Sequence, residues 1–171
     1  MKFEKICVIG LGYIGLPTAA TFAVNGIDVI GVDIKRDIID TLNQGGIHIH
    51  EPGLHAIAQK AISNSSLRVQ MTPETADAFI ISVPTPFHDD KTADLRAVRS
   101  ATQAIVPHLR KGNLVILEST SPPKTTDDVV VPILEESGLK AGKDFLVCYS
   151  PERVLPGRIL VELKENARAM G

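Results

Sequence analysis

Cysteine is scarce in this chain. Cys7 and Cys148 are its only two, and each sits inside an apolar, strand-like run. Isolated thiols in such surroundings read as buried, reduced groups of a cytoplasmic protein, not as a disulfide framework. Metal-ligand spacing is missing as well. His48 and His50 share one face of an extended stretch, but no carboxylate and third ligand follow them, and His88-Asp89-Asp90 reads as a solvated loop. No metal is expected. No apolar run approaches the ~20 residues of a membrane span. The first apolar stretch is interrupted by glycines and has no cleavage-site pattern, so a signal peptide is not expected. Charge of one sign is absent too: 18 Lys and Arg stand against 20 Asp and Glu. That balance gives nucleic acid or an anionic membrane no electrostatic hold. The sequence also has no internal repeat, low-complexity tract or linker, no Gly-x-Ser-x-Gly elbow and no Cys/His nucleophile pair.

What remains is an ordinary balance of 44% hydrophobic and 22% charged residues over 171 positions, enough to bury one core. The most informative stretch is Ile6-Cys7-Val8-Ile9-Gly10-Leu11-Gly12-Tyr13-Ile14-Gly15-Leu16-Pro17. An apolar strand stops at a glycine, two more glycines complete G-x-G-x-x-G, and small residues at helical spacing follow. A dinucleotide pyrophosphate needs this order. Gly10 permits a sharp turn out of the strand, Gly12 lets backbone approach the phosphates, and Gly15 lets the helix pack close to the sheet. The N–H groups and positive dipole end of that helix then face the anion.

Strands are expected at Lys5–Ile9, Asp28–Val32, Leu67–Met71, Ala78–Val83, Asn113–Leu117 and Phe145–Tyr149. Helices are expected at Leu16–Asn25, Asp37–Asn43, Leu54–Ser63, Asp94–Leu109 and Thr125–Ser137. Asp94 can cap the fourth helix, and Pro132 should kink the fifth. Asn166–Gly171 reads as the approach to a further strand. Strands alternating with helices over short loops argue for an α/β fold, a doubly wound parallel sheet.

In such a sheet, ligands bind beyond the carboxyl ends of the strands. The second strand ends at Asp33, which lies near the distance from the glycines at which an acid accepts the adenosine ribose hydroxyls. An acid there disfavours a 2′-phosphate, so NAD is preferred over NADP. Lys35 and Arg36 just beyond could admit that phosphate or form a solvated surface pair. Val83-Pro84-Thr85-Pro86 is either a rigid loop or a shelf beneath a cofactor ribose. Ser119 and Thr120 bring hydroxyls to the same rim, as capping groups or as ligands. Glu152, wedged between Pro151 and Arg153, is a strand-end acid or a group that handles water or a proton.

Together these stretches resemble a known family. Gly10 to Pro17, Asp33, Glu51-Pro52-Gly53-Leu54, Val83-Pro84-Thr85-Pro86, Glu118-Ser119-Thr120 with Pro122, and Ser150-Pro151-Glu152-Arg153 run in the order found in the N-terminal NAD-binding domain of the UDP-glucose/GDP-mannose dehydrogenases. The stretch from Pro151 to Gly157 resembles the branch acting on UDP-N-acetyl-D-mannosamine. The resemblance implies a Rossmann-like fold, NAD, and oxidation of a UDP-sugar C6 alcohol to a carboxylate by two NAD+, in polysaccharide precursor synthesis. In such enzymes a cysteine thiolate holds the aldehyde-level carbon as a thiohemiacetal, and the thioester that follows is hydrolysed by water. By the same resemblance the cofactor lies against Gly10, Gly12, Tyr13, Ile14, Gly15, Asp33, Val83, Pro84, Thr85, Ser119 and Thr120. Thr120 and Glu152 are the catalytic pair that handles water, and Arg153, Val154 and Leu155 belong to a loop that closes on the nucleotide sugar.

The chain also departs from the pattern. Pro123-Lys124 occupies places where members often carry Val-Gly, and Ile38 stands where some place an arginine over the adenosine. The family's central helix, nucleophilic cysteine and lysine, and UDP-binding domain would all lie beyond Gly171, and neither Cys7 nor Cys148 can replace the nucleophile. Residues 1–171 are therefore expected to form one NAD-binding domain that binds NAD without turning over. The family's dimer forms mainly through the central helix, so a homodimer is expected of the full-length protein and a monomer of the fragment. The alternatives are a UDP-glucose or UDP-N-acetylglucosamine dehydrogenase, a nucleotide-binding module without catalysis, or a hydroxyacid-type NAD enzyme of the same fold.

Overall fold

The computed structural model describes residues 3–167 and 169–171. Its strands are β1 (Lys5–Ile9), β2 (Asp28–Val32), β3 (Leu67–Gln70), β4 (Ala78–Ile81), β5 (Leu114–Leu117) and β6 (Leu146–Tyr149). They form one parallel sheet in the order β3-β2-β1-β4-β5-β6. The order reverses between β1 and β4, and a doubly wound sheet opens its ligand crevice at that switch point. The helices are α1 (Gly15–Val24), α2 (Arg36–Asn43), α3 (Leu54–Ser63), α4 (Arg96–Ile105), α5 (Val131–Glu135) and α6 (Ile159–Glu165).

The apolar runs are continuous because the central strands are covered on both faces. Ile6 and Val8 of β1, with Ala78 and Ile80 of β4, pack against Leu16, Ala19 and Leu54 of α1 and α3. Their neighbours Cys7, Ile9, Phe79 and Ile81 face the opposite layer, built on Val98 and Ile105 of α4 and Leu134 of α5. Coverage thins toward β6. Val115 and Leu117 of β5 are buried, but Leu114 and Ile116 on its other face are only half-buried. Leu146, on the edge strand β6, is exposed.

Helix boundaries follow local chemistry. Asp94, expected as the cap of α4, lies one residue ahead of the N-cap Leu95, and its side chain accepts the Arg96 N–H at 3.0 Å from there. That helix tightens into a 3-10 turn over Val106–His108, where Pro107 sits, before reaching Leu109. Pro132 lies in α5 just after a stretch of wide π turn over Thr126–Val130. Proline supplies no N–H to the carbonyl four residues back, and the wider turn removes that demand. Lys124 takes φ +67°, the left-handed region that favours glycine.

The final segment differs from expectation. Residues 159–165, given no element by periodicity, form α6, and Ile159 is fully buried. Gly171 then pairs with Tyr149 through two backbone hydrogen bonds, so the terminal residues do approach the edge of β6.

Candidate functional site: a dinucleotide crevice

One hydrogen-bond level defines the rim of the crevice. Backbone N–H groups of Gly10, Asp33, Ser82, Glu118 and Ser150 donate to the last carbonyls of the neighbouring strands, at Val32, Gln70, Ile9, Ile81 and Leu117. The parallel register therefore brings five loops, far apart in sequence, to the carboxyl edge of the sheet.

The glycines of the first loop do different work. Gly10 has φ +94°, and a Cβ there would stand 2.4 Å from the Ser82 carbonyl oxygen. At Gly15 a Cβ would stand 1.7 Å from the Gly10 carbonyl oxygen. The tightest contact at Gly15 is thus the loop's own turn, with the sheet-side Ser82 Cβ next at 3.2 Å. Gly12 has nothing within 4 Å. No neighbour requires it to be small, and the open space beside it is room for a phosphate. No side chain caps the start of α1, so its dipole end faces that same space. Tyr13 is half-exposed and Ile14 half-buried along the mouth.

Asp33 shapes this loop directly. Its Oδ2 accepts the Leu11 N–H at 2.9 Å, and its Oδ1 accepts the Lys35 N–H at 2.9 Å. A carboxylate offers about four lone-pair sites, so two remain for hydroxyl donors. The Leu11 carbonyl is held from the other side by His48 Nε2 at 2.8 Å. A carbonyl only accepts, so this nitrogen carries the proton. The backbone of Leu11 is thereby held on both sides of its Cα, and the loop is set before any ligand arrives.

Across the switch point the shelf is cross-tied. Ser119 Oγ donates to the Val83 carbonyl at 2.8 Å, and the Thr85 hydroxyl donates to the Thr120 carbonyl. Ser119 is buried, so its hydroxyl shapes the Val83-Pro84-Thr85 shelf from within. Thr120 is exposed on the rim. Beneath it the buried Glu118 accepts Ser82 Oγ at 3.2 Å and Thr18 Oγ1 at 3.4 Å, which joins β5, β4 and α1. Glu152 follows β6, and its Oε1 accepts the N–H groups of Arg153 at 2.6 Å and Val154 at 2.9 Å. Arg153 and Leu155 are exposed and Val154 is half-buried.

Neither cysteine is placed to attack a substrate. Burial pushes the Cys7 thiol up to about 12, and partial burial raises Cys148 as well, so both stay protonated at neutral pH. Among the described residues no group of His, Cys, Asp and Glu could hold a metal ion, and no helix is long and apolar enough to cross a membrane. A separate cleft of about 620 Å3 lies under the 121–127 turn beside β6, lined by Pro122, Lys124, Leu146 and Tyr149. It does not reach the glycine loop.

Thr18 and Ser82 are parts of this architecture that the sequence did not single out, and His48 enters the sequence reading only as a candidate metal ligand. Each acts through one long-range hydrogen bond, and no local pattern announces such a bond. Glu51 stands in a stretch that the resemblance did include, without any role.

A doubly wound sheet with a glycine loop at its switch point and an acid at the end of β2 defines a dinucleotide-binding domain. Residues 4–171 match the model of the UDP-glucose/GDP-mannose dehydrogenase family, NAD binding domain, and the chain belongs to that family. The UDP-N-acetyl-D-mannosamine dehydrogenase of Campylobacter jejuni is 50% identical over 99% of this chain and 44% of its own length. The NDP-N-acetyl-D-galactosaminuronic acid dehydrogenase of Ralstonia solanacearum is 47% identical over 100% of this chain and 42% of its own. Among solved structures, the UDP-N-acetyl-mannosamine dehydrogenase of Staphylococcus aureus superposes with a TM-score of 0.94 at 50% identity, over 98% of this chain and 41% of that one. The chain thus spans less than half the length of these relatives. The cofactor of this domain is NAD, and the residues fit it: Gly12 leaves open space where a Cβ would stand, and Asp33 keeps acceptor capacity at the end of β2.

Proposed function

We propose that residues 1–171 form the cofactor half of a UDP-sugar 6-dehydrogenase that converts UDP-N-acetyl-D-mannosamine to UDP-N-acetyl-D-mannosaminuronate. One observation carries the reading. The rim that presents the glycine loop and Asp33 also presents Thr120 and Glu152, in a chain about half identical, along nearly its whole length, to dehydrogenases named for that substrate. In this reading Gly10, Gly12, Tyr13, Ile14 and Gly15 take the pyrophosphate, and Asp33 takes the adenosine ribose. Val83, Pro84, Thr85, Ser119 and Thr120 form the floor of the nicotinamide half.

The bound cofactor supplies the oxidising power, and the chain's own residues supply position. Thr120 offers a hydroxyl that can hold a water beside the crevice. Glu152 offers a carboxylate that can orient that water or take a proton from it. Arg153, Val154 and Leu155 form the side turned toward the nucleotide sugar. The thiolate nucleophile and the UDP-binding surface come from outside these residues, which is consistent with the protonated thiols of the buried Cys7 and the half-buried Cys148. A cytoplasmic location and a homodimer built through other parts of the protein complete the proposal.

Two measurements test it. Calorimetric titration of the 171-residue chain should give binding of NAD+ and weaker binding of NADP+. The same chain should not reduce NAD+ with any UDP-sugar, and turnover by it would overturn the half-site reading. In the longer protein, UDP-N-acetyl-D-mannosamine should be oxidised in preference to UDP-glucose and UDP-N-acetylglucosamine. Preference for an N-acetylgalactosamine nucleotide is the second reading, favoured by the 47% identity to the Ralstonia relative.

A further inference from the structure

Residues 151–158 connect the end of β6 to α6, which packs on α1. In the strand order, β5 and β4 lie between β6 and β1, so this segment spans from the β6 end of the rim to the α1 layer. It is a strap that leaves the rim next to β5, the strand followed by Thr120. Its far end is tied to its neighbours in sequence through Arg158, whose N–H donates to the Leu155 carbonyl, and also to a residue far from it in the chain. The carboxylate of Glu51, itself 7% exposed, accepts the Gly157 N–H at 2.6 Å through Oε2 and the Ile159 N–H at 2.8 Å through Oε1. Beside this clamp, Leu160 packs over Gly53 and against the core of the α1 face.

The strap is braced internally as well. Glu152 accepts the N–H groups of Arg153 and Val154, and Glu162 accepts that of Leu155 at 2.8 Å. Asn166 Nδ2 donates to the Arg153 carbonyl at 2.8 Å. Glu152 is only five residues from the clamped Gly157, a reach of about 17 Å even when fully extended. A segment so short and so tied has little freedom to move Glu152 independently of the clamp.

We infer that Glu51 is a positioning residue: through its two charge-assisted hydrogen bonds it fixes the strap and so sets where Glu152 and Arg153 stand at the rim. The inference rests on the proposed roles of Glu152 and Arg153, but the clamp itself is tested apart from them. It gives a task to Glu51-Pro52-Gly53-Leu54, whose Glu51 holds the strap through Gly157 and Ile159.

The test uses the 171-residue chain. In Glu51→Gln one acceptor oxygen becomes an NH2 donor, so at most one of the two bonds survives. The Gly157 and Ile159 amides should exchange with solvent at least tenfold faster, and the Glu152 side-chain carboxyl 13C resonance should move. The β1 and β4 amides should keep their rates. Unchanged exchange at Gly157 and Ile159, or an unmoved Glu152 resonance, overturns the inference. If Glu51→Gln does not fold, Glu51→Asp carries the test: the charge stays but one methylene of reach is lost, and the same signals should change by a smaller step. Slower exchange in residues 10–15 when NAD+ is added to the wild-type chain reports on the cofactor reading separately. Its absence would count against the proposed function while leaving the clamp result standing.

Discussion

The crevice has two walls, and they are held by contacts of different range. The β1–β2 wall is assembled from near neighbours: Asp33 holds the Leu11 N–H across 22 residues, and His48 holds the carbonyl of the same residue across 37. The glycine turn closes within six residues, on contacts between Gly15 and Gly10. The β5–β6 wall depends on distant partners. Glu118 meets Thr18 across 100 positions, and Glu51 meets Gly157 and Ile159 across 106 and 108. The first wall is a local motif that can be recognised by spacing. The second exists only once the sheet has brought remote loops to one rim. The wall that carries the glycine loop and Asp33 can therefore be preformed, while the wall that carries Glu152 depends on the whole domain being folded.

That contrast is sharpened most by the glycine loop. Gly15→Ala places a Cβ against backbone, which cannot give way, and should cost about 3 kcal/mol or more of folding stability. Gly12→Ala meets no protein atom and should leave the denaturant midpoint nearly unchanged while sharply weakening NAD+ binding. Equal effects of the two substitutions on unfolding would erase the distinction between a turn glycine and a ligand glycine. A smaller effect is expected at Asp33. Asp33→Ala removes a charged acceptor from a ribose and from the Leu11 and Lys35 amides, and should weaken NAD+ binding by about 1.5–3 kcal/mol. Unchanged calorimetric affinity would remove Asp33 from the site.

The smallest effect is expected from acid, and most of it falls on the β4–β6 side, Glu74 beside β1 and β3 being lowered as well by its bond to Gln70. The Arg96 guanidinium holds the Asp94 carboxyl well below the usual range. The Lys140 side chain lowers Glu135, and the Lys140 backbone N–H lowers Asp144. Each of these groups has a lower pKa folded than unfolded, so the unfolded chain binds protons more readily. Their contribution is complete above the ordinary carboxylate range near pH ~4 and is lost as the pH falls through the folded values. Arg96, Lys140 and Lys111, their cationic partners, are well exposed, so the loss should be modest. Hydrogen exchange below pH ~4 should quicken first in α4, α5 and β6. Earlier loss of protection in β1 and β2 would reverse the ranking of the two walls.

Much of the fold was legible before the structure. β1 and β2 run over the residues expected, and α3 does too, because strand ends, glycines and helical spacing are all local signals. The misses also have physical causes. Residues 159–165 form a helix because Glu51 satisfies the N–H groups at its start and because Ile159 and Leu160 find a core to enter. Neither condition is written near those residues. Ser119 could be read locally as a capping group or a ligand; that its hydroxyl donates inward to Val83 was not legible, since only parallel pairing sets the ends of β4 and β5 side by side.

The sequence alone determined that a strand, a G-x-G-x-x-G turn and a strand-end acid make a dinucleotide site, and that two cysteines in apolar strands are not nucleophiles. Those conclusions rest on backbone conformation and burial pattern, which are properties of short stretches. Only the tertiary structure decided that Gly15 answers to the Gly10 carbonyl, that His48 steadies the loop, and that Glu51 holds the strap bearing Glu152. Each depends on two groups meeting within hydrogen-bond or van der Waals distance, and where distant residues meet is set by the packing of the whole sheet.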